Sequence, residues 1–420
     1  MASREEAGPV EGVVPPAEAV AQPETVGADA ALLTIILASV FMVSAEARVI
    51  SPVLPAVAAE FEVTVARAGL LITAYTIPYG LFQLVYGPLA DRFSRQRVMG
   101  VALALFAVFT FISGFAPTIL TLDLLRLLTG AAGAGVIPVA LAYVGDAVPY
   151  EQRQAALGRV VSVASLGGVL SATLGGLVAT FLSWRAIFFV YGVLALVVAG
   201  VLLRRPVRRS RARVARPPGL LGPYLKIFEL AGWSAAALYL LVFVEGFAAT
   251  STLGYLGAFL FERDKLSYAA IGLLITISGV ASMLTGRVVG RLVLRIEEQG
   301  MVLLGGTLLS ISYFLVGLRP LLLFFPLAML LAGSGFVIAH STLQSRATEL
   351  VPSMRGTAVA LFAFSLFLGG GLGTYVAGLA IEGLGFPITL IGTGAVLVGF
   401  TLLSQPLLRI IRGNTTETTR

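Results

Sequence analysis

Six ionisable side chains stand inside otherwise apolar runs of this sequence: Glu46, Arg48, Asp123, Arg126, Glu245 and His340. Gln344 follows His340 by one helical turn. A charge at the centre of a membrane helix costs about 2.5–3.5 kcal/mol on insertion, so each such residue is a functional candidate. Glu46 with Arg126, and Arg48 with Asp123, make two neutral pairs if their helices are neighbours. Glu245 has no opposite charge on its own helix. A carboxylate left unpaired in a dry cavity can exchange a proton near neutral pH, which makes Glu245 and Glu46 the candidates for carrying one. An ion-pair network that joins two helices accounts equally well for Glu46, Asp123 and Arg126. His340 suits proton sensing; a packing residue near the inner end of its helix is the plainer reading.

The elements that must position these groups follow from composition. Of 420 residues, 57% are hydrophobic and 12% charged, and the mean hydropathy is +0.94. Soluble domains carry about 25% charged residues, so this much apolar surface belongs in a lipid bilayer. The formal charge of +7 does not indicate nucleic acid, because the basic residues lie between apolar runs. The chain has no cysteine and one histidine, which excludes disulfides, thiolate metal sites and a histidine-rich metal centre.

Residues 1–28, rich in Ala, Pro and Glu, read as a disordered tail without the pattern of a signal peptide. Twelve apolar runs of spanning length follow, at 31–57, 67–87, 98–116, 119–145, 157–181, 186–203, 232–260, 269–290, 301–318, 321–344, 357–380 and 386–408. The fold class is thus an all-α polytopic membrane protein. With the N-terminus inside, the inner segments hold 22 basic residues and the outer ones five, so both ends are expected to be cytoplasmic. The basic stretch 204–230 separates a six-helix half at 29–203 from a second at 231–408, and 409–420 forms a terminal tail. An offset of 203 residues aligns the halves, with Gly69-Leu-Leu-Ile-Thr73 on Gly272-Leu-Leu-Ile-Thr276. Such duplicated halves suit a solute path at their interface. At about 1.5 Å per residue, Glu46 lies roughly 23 Å in from the inner face and Arg126 about 10 Å from the outer one. The two therefore share a level, while Glu245 lies about 20 Å from the inner face.

Between spans 2 and 3 the chain reads Gly87-Pro-Leu-Ala-Asp-Arg-Phe-Ser-Arg-Gln-Arg97. Gly87, Leu89, Ala90, Asp91, Arg92, Arg95 and Arg97 fit the loop signature of the major facilitator superfamily, which this sequence resembles over roughly residues 30–410, with Ser94 in place of the usual glycine. Span 4 carries Arg126-Leu-Leu-Thr-Gly130, and Ser51-Pro-Val-Leu-Pro55 is similar to the end of span 1 in the twelve-span drug:proton antiporters. Arabinose-efflux-like permeases resemble it most. The second-half copy of the loop, Gly290-Arg-Leu-Val-Leu-Arg295, has lost its acid. Span 5 departs from the antiporter pattern: Gly167, Gly175 and Gly176 are kept, but Ser171-Ala172 replaces Gly-Pro.

The resemblance implies a secondary transporter in which spans 1, 4, 7 and 10 line a central cavity. The expected activity is export of a small organic molecule or drug against entry of protons, by alternating access. A proton symporter or uniporter for a sugar or organic acid, and a lipid-handling protein on the same fold, are the alternatives. The family default is a monomer in the inner or plasma membrane, with the small molecule, protons and lipid as its partners. Arg48 stands where several drug-efflux relatives carry an acid, which favours an anionic or zwitterionic cargo. Tyr75 and Gln83 on span 2, Tyr239 and Tyr255 on span 7, and His340 with Gln344 could bond a substrate; each could equally satisfy a neighbouring helix. Asp91 is expected to pair near Ser353–Gly356 when the inner side closes. No cofactor is expected, since neither Gly130–Gly135 nor Gly369–Gly373 follows a strand or precedes a Lys-Ser/Thr pair; both read as close-packing helix surfaces. Trp184-Arg185 reads as an interface anchor.

Overall fold

The computed structural model describes residues 30–206, 221–318 and 321–417. The tail at 1–28, residues 207–220 of the linker and the end of the second tail lie outside the described residues. So do the side chains of 91, 150, 151 and 412–417.

Among the described residues, ten helical stretches are long and apolar enough to cross a membrane. Two of them double back, at Glu297 within Tyr268–Gly317 and at Gly385 within Arg355–Glu417, which makes twelve spans. Gly385 turns the chain with φ 80°, open to glycine because no Cβ collides with the backbone. Spans 1 to 6 run over Ala30–Glu60, Val65–Arg92, Arg95–Ser113, Ile119–Ala147, Tyr150–Phe181 and Trp184–Arg204. Span 7 lies within Gly222–Asp264 and span 10 within Leu322–Leu350; spans 8 and 9 share the first doubled stretch, 11 and 12 the second. The face at which span 1 begins and span 12 ends is called here the terminal face. Helices that start at the opposite, far face are capped by Thr64, Thr118, Ser183 and Ser267, whose hydroxyls each accept a backbone N–H three residues on. Such a cap supplies about 1 kcal/mol by satisfying a donor the helix leaves open.

The two halves are related in detail. Span 1 breaks after Glu46 and restarts at Ser51. Span 7 breaks after Ala249 and restarts at Thr252, so the last helical residues lie 203 positions apart. The breaks also meet, because Ser51 Oγ donates to the carbonyl of Gly254, its own counterpart, at 2.8 Å. The apolar runs expected at 31–57 and 232–260 thus each hold a single span with a break inside it. A Cβ on Gly130 would overlap the Tyr75 carbonyl, and one on Gly333 the Ser278 carbonyl, again 203 apart.

Glycines set the helix spacing elsewhere too. Added Cβ atoms would overlap backbone carbonyls across the span 7–span 11 seam, Gly246 on Leu366, Gly369 on Phe243 and Gly373 on Phe247. Backbone cannot yield as a side-chain tip can, so Gly246→Val should destabilise the protein by about 1–3 kcal/mol or more. A lower unfolding midpoint in detergent is the expected result; an unchanged one would show the seam to be soft.

Contacts between the halves run from the far face through mid-depth. The Ala269 N–H donates to Thr180 Oγ1 at 3.0 Å, Thr276 Oγ1 donates to the Val169 carbonyl at 3.0 Å, and Thr73 Oγ1 to that of Gly371 at 3.0 Å. Toward the terminal face a further bond joins the halves, from the Tyr224 hydroxyl to the Leu84 carbonyl at 2.8 Å. Cβ atoms built on Gly158, Gly290, Gly87 and Gly356 would meet nothing within 4 Å. The cleft between spans 1, 4, 7 and 10 is therefore sealed at the far face.

Candidate functional site

Glu46 ends the first helix of span 1, and its Oε1 accepts from Nη1 of Arg126 on span 4. Both side chains are sealed, at 0% and 1% exposure. The Arg126 guanidinium lies 4.4 Å from the Tyr75 ring centre and 5.9 Å from that of Phe188, so aromatic faces replace water around the charge. Glu46 Oε2, Arg126 Nε and the hydroxyls of Tyr75 and Tyr191 have no hydrogen-bond partner among the described residues. This pair sits inside the first half, away from the cleft.

The second expected pair does not form. Asp123 is bonded by Arg67 at 2.5 Å. Both residues sit within the first turns of helices that start at the far face, so their side chains meet end to end. Arg48 instead lies in the four-residue turn that follows Glu46. Its N–H donates to Ser171 Oγ at 3.0 Å, and its side chain is exposed toward a central recess with Thr250, Ser278, Ser282, Tyr313 and Phe336. Ser171 is one of the two residues, with Ala172, that stand in place of Gly-Pro in span 5. Span 5 reaches span 1 closely here because Gly167 and Gly175, one turn either side, have no Cβ to hold the backbones apart.

Glu245, which had no expected partner, has one on span 10. His340 Nδ1 lies 3.2 Å from Glu245 Oε2. The carboxylate is fully buried and the imidazole 19% exposed, so access to the pair is through the histidine. Phe336 stacks on the imidazole at 4.9 Å and Phe362 packs at 5.1 Å, and Glu245 Oε1 has no partner among the described residues. His340 is thus level with Glu245 and not near the inner end of span 10.

The other expected cavity residues mostly join helices. Tyr239 donates to the Ala358 carbonyl at 3.2 Å, Tyr255 to that of Thr374 at 3.2 Å, Gln83 is buried, and Tyr75 stacks on Tyr79 at 5.7 Å. Gln344 is exposed. In the loop after span 2, Arg95 binds Asp146 at 2.7 Å and the Ala142 carbonyl, both on span 4. Arg92 lies 5.5 Å from the Phe93 ring, and Arg92 and Arg97 are exposed; the Asp91 contact expected near Ser353–Gly356 lies outside the described residues. Trp184 is buried and donates to Glu60 at 2.5 Å, so it is a latch at the far end of the first half and not an interface anchor. Asp146, Tyr191 and Tyr313 carry no signal in sequence, where each is a single Asp or Tyr without a patterned neighbour.

Residues 36–374 match the family model described as Major Facilitator Superfamily. The chain is similar to the uncharacterized MFS-type transporter YceJ of Bacillus subtilis (strain 168), at 29% identity over 81% of this chain and 87% of that protein. It is 32% identical to the puromycin resistance protein pur8 of Streptomyces alboniger over 45% of this chain and 39% of the relative. The crystal structure of a bacterial homologue of the human lysosomal transporter Spinster, inward-facing and unoccupied, superposes with a TM-score of 0.76, at 18% identity over 91% of this chain and 97% of that one. With twelve spans in two related halves and a family match across most of its length, the chain belongs to the major facilitator superfamily and is a multi-pass membrane transporter of a small molecule.

Proposed function

We propose that the protein exports a small organic molecule in exchange for protons, by alternating access between its two halves. The observation that carries this reading is the Glu245–His340 pair: buried on the carboxylate side, reachable through the imidazole, and placed beside the cleft on spans 7 and 10. Without an added proton the pair carries a charge of −1, and with one it is neutral. In a medium of low dielectric that difference is large enough to decide which orientation of the cleft is favoured. Phe336 touches both the pair and the recess, so cargo and proton act on one set of side chains. Resistance to puromycin in a relative supports the outward direction. The termini would then be cytoplasmic, the membrane the plasma or inner membrane, the cleft open to the cytoplasm, and the unit a monomer. Glu46, enclosed with Arg126, belongs to the scaffold of the first half in this reading, and the Arg95–Asp146 bond steadies the loop that must move as the terminal face closes.

Proteoliposomes with an imposed pH gradient test the exchange. Cargo should accumulate in the acidic compartment against its own gradient, and collapse of the gradient by an ionophore should abolish accumulation. Flux indifferent to the gradient would leave a uniporter.

A further inference from the structure

The recess at the broken centres of spans 1 and 7 holds one cation and no acid. Arg48 has no hydrogen bond from its guanidinium and no ion pair among the described residues, and its titratable neighbour is Tyr313. The acids nearest in depth are committed elsewhere: Glu46 to Arg126, Asp123 to Arg67 and Glu245 to His340. The lining hydroxyls are committed as donors. Thr250 donates to Gly246 at 2.7 Å, Ser278 to Ile275 at 2.8 Å, Ser282 to Gly333 at 2.8 Å and Tyr313 to Ala249 at 2.7 Å, each to a backbone carbonyl. Their oxygens still accept, but the free donors of the recess are the five N–H groups of Arg48. An isolated charge at this depth requires water or an anion.

We propose that Arg48 anchors the oxyanion head of an organic monoanion whose apolar body lies against Leu253, Leu309 and Phe336, so that the exported cargo is a carboxylate- or sulfonate-bearing molecule. The planar guanidinium matches two oxygens of such a head at once. The inference rests on the alternating-access reading of the same recess and adds the charge class of the cargo. It also assigns Ser171 as a positioning residue. By accepting the Arg48 N–H at the turn, its hydroxyl fixes the direction in which the side chain leaves span 1, which gives the departure from Gly-Pro in span 5 a purpose.

The test uses the full chain in phosphatidylcholine vesicles, free of anionic lipid. Its probes are labelled 4-toluenesulfonate, which stays ionised and does not leak as a neutral acid, with 4-toluenesulfonamide and 4-methylbenzylammonium as the neutral and cationic matches. Sulfonate flux should exceed the other two by tenfold or more. Arg48→Gln should lower it about tenfold or more, Arg48→Lys should keep part of it, and Ser171→Ala should raise KM more than it lowers kcat. Both Arg48 variants should keep the wild-type unfolding midpoint, whereas Ser171→Ala, which leaves the Arg48 N–H without its acceptor, should lower it. Equal flux of the amide or the ammonium, no sulfonate flux, or sulfonate flux unchanged in Arg48→Gln would overturn the assignment. So would sulfonate flux that appears only when phosphatidylglycerol is present, since a lipid headgroup would then be the occupant of the recess. Sulfonate flux that needs Arg48 but ignores the pH gradient removes proton exchange and keeps the anion site; gradient-driven flux of the ammonium does the reverse.

Discussion

Arg126→Ala is expected to destabilise the protein by about 3–5 kcal/mol, and Glu46→Ala by a similar amount, because either change leaves a buried charge without its partner. The size of the effect follows from the enclosure. Both side chains are at most 1% exposed, so water cannot take the place of the missing group. Exposed pairs behave differently; Arg185–Glu60, with its acid 44% exposed, should contribute at most about 1 kcal/mol. The double variant Glu46→Gln with Arg126→Met removes both charges and should recover much of the loss. Unfolding midpoints of the four proteins in detergent decide this. Additive losses in the double variant would show that the two residues act separately.

Glu245→Gln is the second change with a large expected effect. It preserves the shape of the buried side chain and removes the group that changes charge. Accumulation against a gradient should fall to about a tenth of wild type or less, while exchange of labelled for unlabelled cargo, which needs no net proton movement, should persist. His340→Ala should slow both, because it opens the path to the carboxylate and removes an imidazole that packs on Phe336 and Phe362. Loss of exchange in Glu245→Gln equal to the loss of accumulation would make Glu245 a structural residue.

If the cargo is a monoanion, exchange for one proton moves charge twice in the same sense. An inside-negative potential then drives export at about 2.3 kcal/mol per charge per 100 mV, and a potassium diffusion potential alone should accelerate it.

The architecture was legible because bilayer length and arginine placement leave strong marks on a sequence. Twelve runs and two halves follow from them; the 203-residue offset comes from the identity of Gly69–Thr73 with Gly272–Thr276, and it turns up again in the paired overlaps of Gly130 on Tyr75 and Gly333 on Ser278. The Glu46–Arg126 contact could be anticipated from depth along two helices, since rise per residue fixes level. Depth does not fix azimuth, however. Asp123 met Arg67 and not Arg48, and His340 met Glu245 across two helices that no local pattern connects. The break in span 1 was hidden for a different reason. Its residues, Ala47-Arg-Val-Ile50, include neither proline nor glycine; the local signal is Pro52 just beyond them, which has no N–H for the Arg48 carbonyl, and the serine that accepts the Arg48 N–H lies 123 positions away. Tertiary hydrogen bonding, which sequence spacing does not encode, thus turned an apparent charge-pair member into a cation that lines the recess.

Proton movement on addition of cargo is the most direct test of the central claim. Vesicles loaded with a pH-sensitive dye and held at equal pH on both sides should show proton flow opposite to a cargo gradient in the wild type, and none in Glu245→Gln despite retained exchange. Equal proton flow in both proteins, or flow in the direction of the cargo, would contradict antiport through the Glu245–His340 pair.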